Sequence, residues 1–126
     1  MSPDRITGKR ILLAEDQQGV RDTIKYLLRM DEHVITEACD GEEALDLYRR
    51  QTFDLVITDF SMPRMCGDEL AVNIRKISPS QRILMITAYS ARLEQAENPV
   101  DMILSKPFSF QDLRNAMVDL LSKQVV

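Results

Sequence analysis

Five short apolar runs punctuate the chain, at residues 10–14, 33–38, 54–58, 82–87 and 101–105. Short apolar runs of this kind suit buried parallel strands. Between them, apolar residues take up helical spacing. Val20, Ile24, Leu27 and Leu28 fall at i, i+4, i+7 and i+8, one stripe on one face. Leu70, Ile74 and Ile77 form a stripe in the third helical stretch, and Leu113, Met117, Leu120 and Leu121 another in the last. Helix starts are marked too. Asp40 with Glu43 three residues on resembles a capping box. Ser109 is placed to cap the last helix, with Phe108 and Leu113 set for a hydrophobic staple. Pro107 keeps the chain out of helix until that cap. The fourth helical stretch is short, about 88–97, and stops at Asn98-Pro99.

Alternation of strand and helix predicts an α/β protein, a doubly wound (βα)5 fold with helices on both faces of a parallel sheet. Right-handed crossovers leave few topologies. For the flavodoxin-like order 2-1-3-4-5, strand order reverses between the first and third strands, and sites form outside the carboxyl ends of strands at that point. Polar residues stand at those ends. Glu15 and Asp16 follow the first run, Asp59 the third, Thr87 closes the fourth, and Lys106 follows the fifth. Singly, each reads as a cap or a solvated turn residue. Together they complement one another. Carboxylates suit a hard divalent cation, a carboxylate can attack phosphorus, an ammonium neutralises phosphoryl oxygens, and a hydroxyl hydrogen-bonds them.

Composition narrows the choices. The 126 residues suit one domain, with a loose lead-in over residues 1–8 and a short tail at 124–126. A net charge of −4 offers no basic footprint for nucleic acid or anionic lipid. No apolar run approaches the ~18 residues that span a bilayer, and residues 1–5 lack a signal peptide's apolar core. Cys39 and Cys66 are too few for a disulfide framework and fit a reduced, cytoplasmic setting.

The motifs resemble those of the receiver domain of two-component response regulators, the single-domain chemotaxis type in particular. They are the acidic pair Glu15-Asp16, the run from Asp59 to Gly67 that fits D-x-x-M-P-x-M-x-G, Thr87-Ala88, and Lys106-Pro107-Phe108. The resemblance covers residues 9–123. It implies that Asp59 is the phosphoacceptor. Glu15, Asp16, Asp59 and the Ser61 backbone carbonyl would hold Mg2+ (or Mn2+). Thr87, Ala88 and Lys106 would bind the phosphate and carry the switch, and Ser61 and Tyr89 would tune phosphate lifetime. The Lys106-Pro107 peptide would be cis, the isomer that only X-Pro bonds adopt at low cost. The phosphoryl group would come from a histidine kinase, a histidine phosphotransfer protein or a small donor such as acetyl phosphate. Phosphorylation would alter the surface that a downstream target or output domain reads. Such a protein is a regulator rather than an enzyme, with at most self-phosphorylation and self-dephosphorylation.

Two positions depart from the family pattern. Ile103 stands where many receivers carry an aromatic switch residue, and the stretch from Thr87 to Lys106 is short and lacks an Ala-Gly turn. Other residues read as structural: His33 as a strand-start residue, Met62 and Met65 as loop packing, Cys66 as a packing thiol. Glu42, Glu43, Arg49, Arg50, Arg75 and Lys76 read as solvated faces. A haloacid dehalogenase-type phosphatase needs D-x-D after the first strand, and a flavodoxin needs a hydroxyl- and glycine-rich loop there. Neither is present, nor is G-x-x-x-x-G-K-[ST]. An unphosphorylated docking module stays as the alternative, together with a receiver fragment of a hybrid kinase or longer regulator. Met1 and a last helix reaching almost to Val126 favour a stand-alone chain.

Overall fold

Alternate residues of each strand point to opposite faces of a sheet, so a strand buried on both faces feeds two cores. The structure, a computed structural model, describes residues 6–88 and 99–122 and shows this division. Strands β1 (Arg10–Ala14), β2 (Val34–Ala38), β3 (Leu55–Asp59), β4 (Ile83–Thr87) and β5 (Met102–Ser105) form one parallel sheet in the order β2-β1-β3-β4-β5. Helices α1 (Gln18–Met30), α2 (Gly41–Arg50), α3 (Gly67–Ile77) and α4 (Phe110–Leu121) cover it. Ile11, Leu13, Leu55, Ile57, Leu84 and Ile86 pack with Ile24 and Leu28 of α1 and with Leu113, Met117, Leu120 and Leu121 of α4. On the other face, Leu12, Ala14, Val56 and Ile83 meet Ala44, Leu45 and Tyr48 of α2 and Leu70, Ala71 and Ile74 of α3. The expected fold class and strand order are therefore observed. Of the expected fourth helix at about 88–97 only Ala88 is described, in a turn; the rest of it, the Tyr89 site and the terminal segments 1–5 and 124–126 lie outside the described residues.

The helix starts follow local chemistry. Ser109 and Asp112 form a full capping box, and Phe108 packs on the core cluster that holds Leu113. At α2 the box is displaced by one residue. Asp40 accepts from the Glu43 N–H at 2.8 Å, but the Glu43 carboxylate reaches back to the N–H of Cys39, not of Asp40. Glu43 is thus a cap as well as an exposed charge.

Two further expectations need correction. Ile77 is 48% exposed, because it lies in the last turn of α3, beyond the reach of the sheet. Arg75 is no solvated side chain. Its guanidinium donates to the carbonyls of Pro79, Gln81 and Pro99 and to the Asp101 carboxylate at 2.6–3.0 Å. Asp101 in turn accepts the Ile83 N–H at 2.7 Å. One arginine thereby ties the end of α3 to the starts of β4 and β5. His33 stands just before β2, buried, with Nδ1 accepting the Lys9 N–H at 3.0 Å. Burial holds its pKa below the usual imidazole value.

Ile57 is fully buried at the centre of β3, two residues before Asp59. Ile57→Ala should cost about 2–5 kcal/mol of unfolding free energy, as lost transfer energy plus a cavity. Urea unfolding checks this, and a loss below 1 kcal/mol would mean that the centre of the sheet is not tightly packed.

Candidate functional site

The parallel register brings the strand ends together. Ala14 pairs with Thr58, so Glu15 and Asp59 leave β1 and β3 side by side. Asp59 pairs with Ile86, which sets Thr87 one position further along β4. Thr87 pairs with Ser105, and the Lys106 N–H donates to the Thr87 carbonyl at 2.9 Å. A ligating oxygen from each of Glu15, Asp16 and Asp59 lies within 4.8 Å of the others. Lys106 Nζ stands 3.3 Å from Asp59 Oδ2 and 3.5 Å from Glu15 Oε1. The Lys106-Pro107 peptide is cis.

Burial differs across the cluster. Glu15 is 1% exposed and Asp59 8%, whereas Asp16 is open to solvent. Burial, and then the neighbouring Asp59 charge, push the Glu15 carboxyl up from 4.5 to about 7. The Gln17 N–H and Lys106 pull it down without overcoming those two effects. Asp59 is oriented from its own loop, with Oδ1 accepting the Phe60 N–H at 2.8 Å. Thr87 is buried, 1% exposed. Ala88 follows it in an exposed turn. Ser61 is exposed on the loop between β3 and α3. That loop folds tightly, since the Gly67 N–H donates to the Phe60 carbonyl at 2.8 Å and a Cβ on Gly67 would collide with the Asp59 carbonyl.

The donor set is oxygen only. Clustered carboxylates with no sulfur or imidazole among them fit a hard cation of the Mg2+ class and not zinc. Cys66 caps α3 nearby, but its thiol donates to Asp68, and that carboxylate together with burial raises its pKa. Glu43 does the same for exposed Cys39. Both thiols are held protonated, against a thiolate role.

The family model described as the response regulator receiver domain matches residues 11–118. The chain belongs to that family. The receiver protein CpdR of Brucella abortus is 35% identical over 116 residues, covering 90% of this chain and 97% of its own. The transcriptional regulatory protein PdtaR of Mycobacterium tuberculosis is 38% identical, but here 87% of this chain covers only 55% of the relative. This receiver thus spans nearly all of one relative and about half of another. Among solved structures, response regulator TrrA from Thermotoga maritima, in complex with Mg2+-BeF, is similar at 35% identity with a TM-score of 0.84, covering 90% of this chain and 99% of that one. The receiver domain of a sensor histidine kinase from Pseudomonas aeruginosa, with a magnesium ion coordinated in its active-site cleft, is 25% identical with a TM-score of 0.85, covering 93% and 100%.

Sequence inspection did not anticipate the residues that support the acids. Arg21 Nη1 donates to the Glu15 carbonyl at 2.7 Å while its Nε donates to Glu37 at 3.3 Å. Lys25 donates to the other Glu37 oxygen at 2.9 Å. The only sequence signal is a pair of cations four apart on α1 opposite one acid of β2.

The Glu15 shift fixes a pH dependence. Between about 4.5 and 7 the folded protein holds a proton that the unfolded chain has released, so stability from this group falls as pH rises through that window and stays low above it. Glu15→Gln should therefore stabilise the metal-free protein by on the order of 1–3 kcal/mol at pH 8. The gain should vanish near pH 4. Urea unfolding in chelator checks this, and an equal gain at both pH values would refute the titration.

Proposed function

We propose that this receiver is a phosphoacceptor switch in which Asp59 takes a phosphoryl group in the presence of Mg2+. The reading rests on one observation: three carboxylates and one ammonium converge at the carboxyl edge of the sheet, with Lys106 Nζ within 3.5 Å of both Asp59 and Glu15. Glu15, Asp16, Asp59 and the Ser61 carbonyl would hold the metal. When bound, it neutralises phosphoryl oxygens that would otherwise repel a carboxylate.

The remaining work belongs to the side chains. An Asp59 oxygen attacks phosphorus, forming an O–P bond as the bond to the donor breaks and its electron pair leaves with the donor. The Phe60 N–H holds the carboxylate in place for that approach. Lys106 faces Asp59 beforehand and a phosphoryl oxygen afterwards. Thr87, with the turn at Ala88, supplies a hydroxyl to the phosphate and draws the end of β4 with it. Ser61 tunes phosphate lifetime from the loop between β3 and α3, and Tyr89 is assigned the same effect from its place in the sequence.

The receiver unit on this reading is residues 9–123, and the donor is a histidine kinase, a histidine phosphotransfer protein or acetyl phosphate. A protein donor is supported by an apolar groove of about 680 Å³ beside Lys106, lined by Val20, Thr23, Leu27, Ala88 and Phe108. The altered surface is read by a downstream protein or an attached output domain. A cytoplasmic setting fits such partners. No helix among the described residues is long and apolar enough to cross a membrane.

Intact mass after incubation with Mg2+ and acetyl phosphate tests the central step. One phosphoryl adduct is expected, absent without Mg2+ and absent in Asp59→Asn. An adduct that persists in the variant would refute the assignment, and no adduct from either a small donor or a kinase would favour a docking module. Lys106→Ala should still accept phosphate, more slowly, but lose the phosphate-dependent change in amide NMR shifts. An unaltered change would remove Lys106 from the switch.

A further inference from the structure

The loop from Phe60 to Cys66 joins β3 to α3 and carries Ser61, and it is docked on a different element, the start of α2. A Cβ on Gly41 would collide with the carbonyl and side chain of Met65, so the first residue of α2 is a glycine that admits the loop. Met62 and Met65 pack on the core cluster shared by α2 and α3. Asp40, 4% exposed, receives two donors: the Glu43 N–H on Oδ1 at 2.8 Å and Arg64 Nη1 on Oδ2 at 2.6 Å. Arg64 has φ +69°, a left-handed conformation that disfavours side chains with a Cβ. Its side chain is 64% exposed, so burial does not hold it there. Its charged head is held by the ion pair with Asp40.

We propose that the Arg64–Asp40 ion pair positions the loop between β3 and α3, and with it the Ser61 carbonyl, for metal binding beside Asp59. The inference rests on the phosphoacceptor reading of the same site. Arg64 is a positioning residue that acts through the loop. Asp40 is buried and caps the start of α2, so the tether anchors the middle of a loop whose residues are only half-buried or exposed to a fixed element. Orienting partners of this kind strengthen metal sites without touching the ion.

The sign of the effect separates positioning from simple charge. A cation near a Mg2+ site repels the ion, so removing Arg64 would tighten binding if charge were all that mattered. Positioning requires the opposite. Arg64→Asn suits the test, since asparagine tolerates the left-handed region. Asp40→Asn suits it as well, since asparagine still caps α2.

Isothermal titration of the full chain with MgCl2 reads the outcome, with metal-free thermal unfolding as the control for folding. Both single variants should bind Mg2+ more weakly, by up to about tenfold. Arg64→Lys should restore most of the affinity. The double variant should be no weaker than the weaker single, because both lose one link. Unchanged or tighter binding by Arg64→Asn, or additive effects in the double variant, would overturn the tether while leaving the metal site intact. Failure of the parent chain itself to bind Mg2+ would overturn the phosphoacceptor reading and the tether with it.

Discussion

A buried carboxylate beside another carboxylate, with one lysine between them, sets the terms for the rest of this molecule. Glu15 and Asp59 lie at adjacent strand ends because β1 and β3 run parallel in register, and neither side chain can turn away from a sheet packed on both faces. Lys106 is the single ammonium that the described residues place within ion-pair distance of both. Burial, and after it the repulsion from Asp59, hold the Glu15 carboxyl at about 7. Surplus negative charge and an all-oxygen donor set suit a hard cation, and on the proposed function that cation and Lys106 would balance the charge a phosphoryl group brings.

Such a site needs a stiff frame, and arginines supply much of it. Arg21 holds the Glu15 carbonyl from α1, Arg64 holds the loop after Asp59 against α2, and Arg75 holds the starts of β4 and β5 from α3. Arg114 does the same at the far end of the molecule, gripping buried Asp31 with two bonds of 2.8 Å while its guanidinium stacks 4.1 Å from the Phe110 ring. In each case a planar, multiply donating group ties backbone or buried acid across elements, a task that a lysine's point charge performs less well.

The division between what the chain announces and what it conceals follows from this. The strands were legible to within a residue because short apolar runs alternating with helical stripes fit a parallel sheet covered by helices. The meeting of Asp59, Thr87 and Lys106 at one edge was legible because the carboxyl ends of parallel strands share that edge, although singly each position reads as a cap or a turn residue. The Ser109 cap was legible from its own side chain, and the box at α2 came out displaced because the long Glu43 side chain reached Cys39 instead of Asp40. Arg75 and Arg64 were not legible. A charged residue on a helical pattern has the same spelling whether its head lies in water or on three carbonyls, and the partner of Arg114 lies 83 positions away in sequence. Residue type carries the chemistry of a contact, but only the fold supplies the contact.

The described end of the sheet also bears on how a charge change at Asp59 spreads. The backbone at Thr87 is bonded to Lys106 at 2.9 Å, so the ends of β4 and β5 form one unit and displacement of either moves both. Further back on β5, Ile103 is half-buried opposite fully buried Met85. An aromatic residue with a hydroxyl could exchange apolar contact for a hydrogen bond on turning outward. Ile103 has no polar tip, and outward rotation would only lose apolar burial. Motion on the proposed switch therefore concentrates at the strand ends and the turn at Ala88, next to the apolar groove against α1, and a partner that discriminates the phosphorylated state would read that corner of the surface and not a flipped ring on β5.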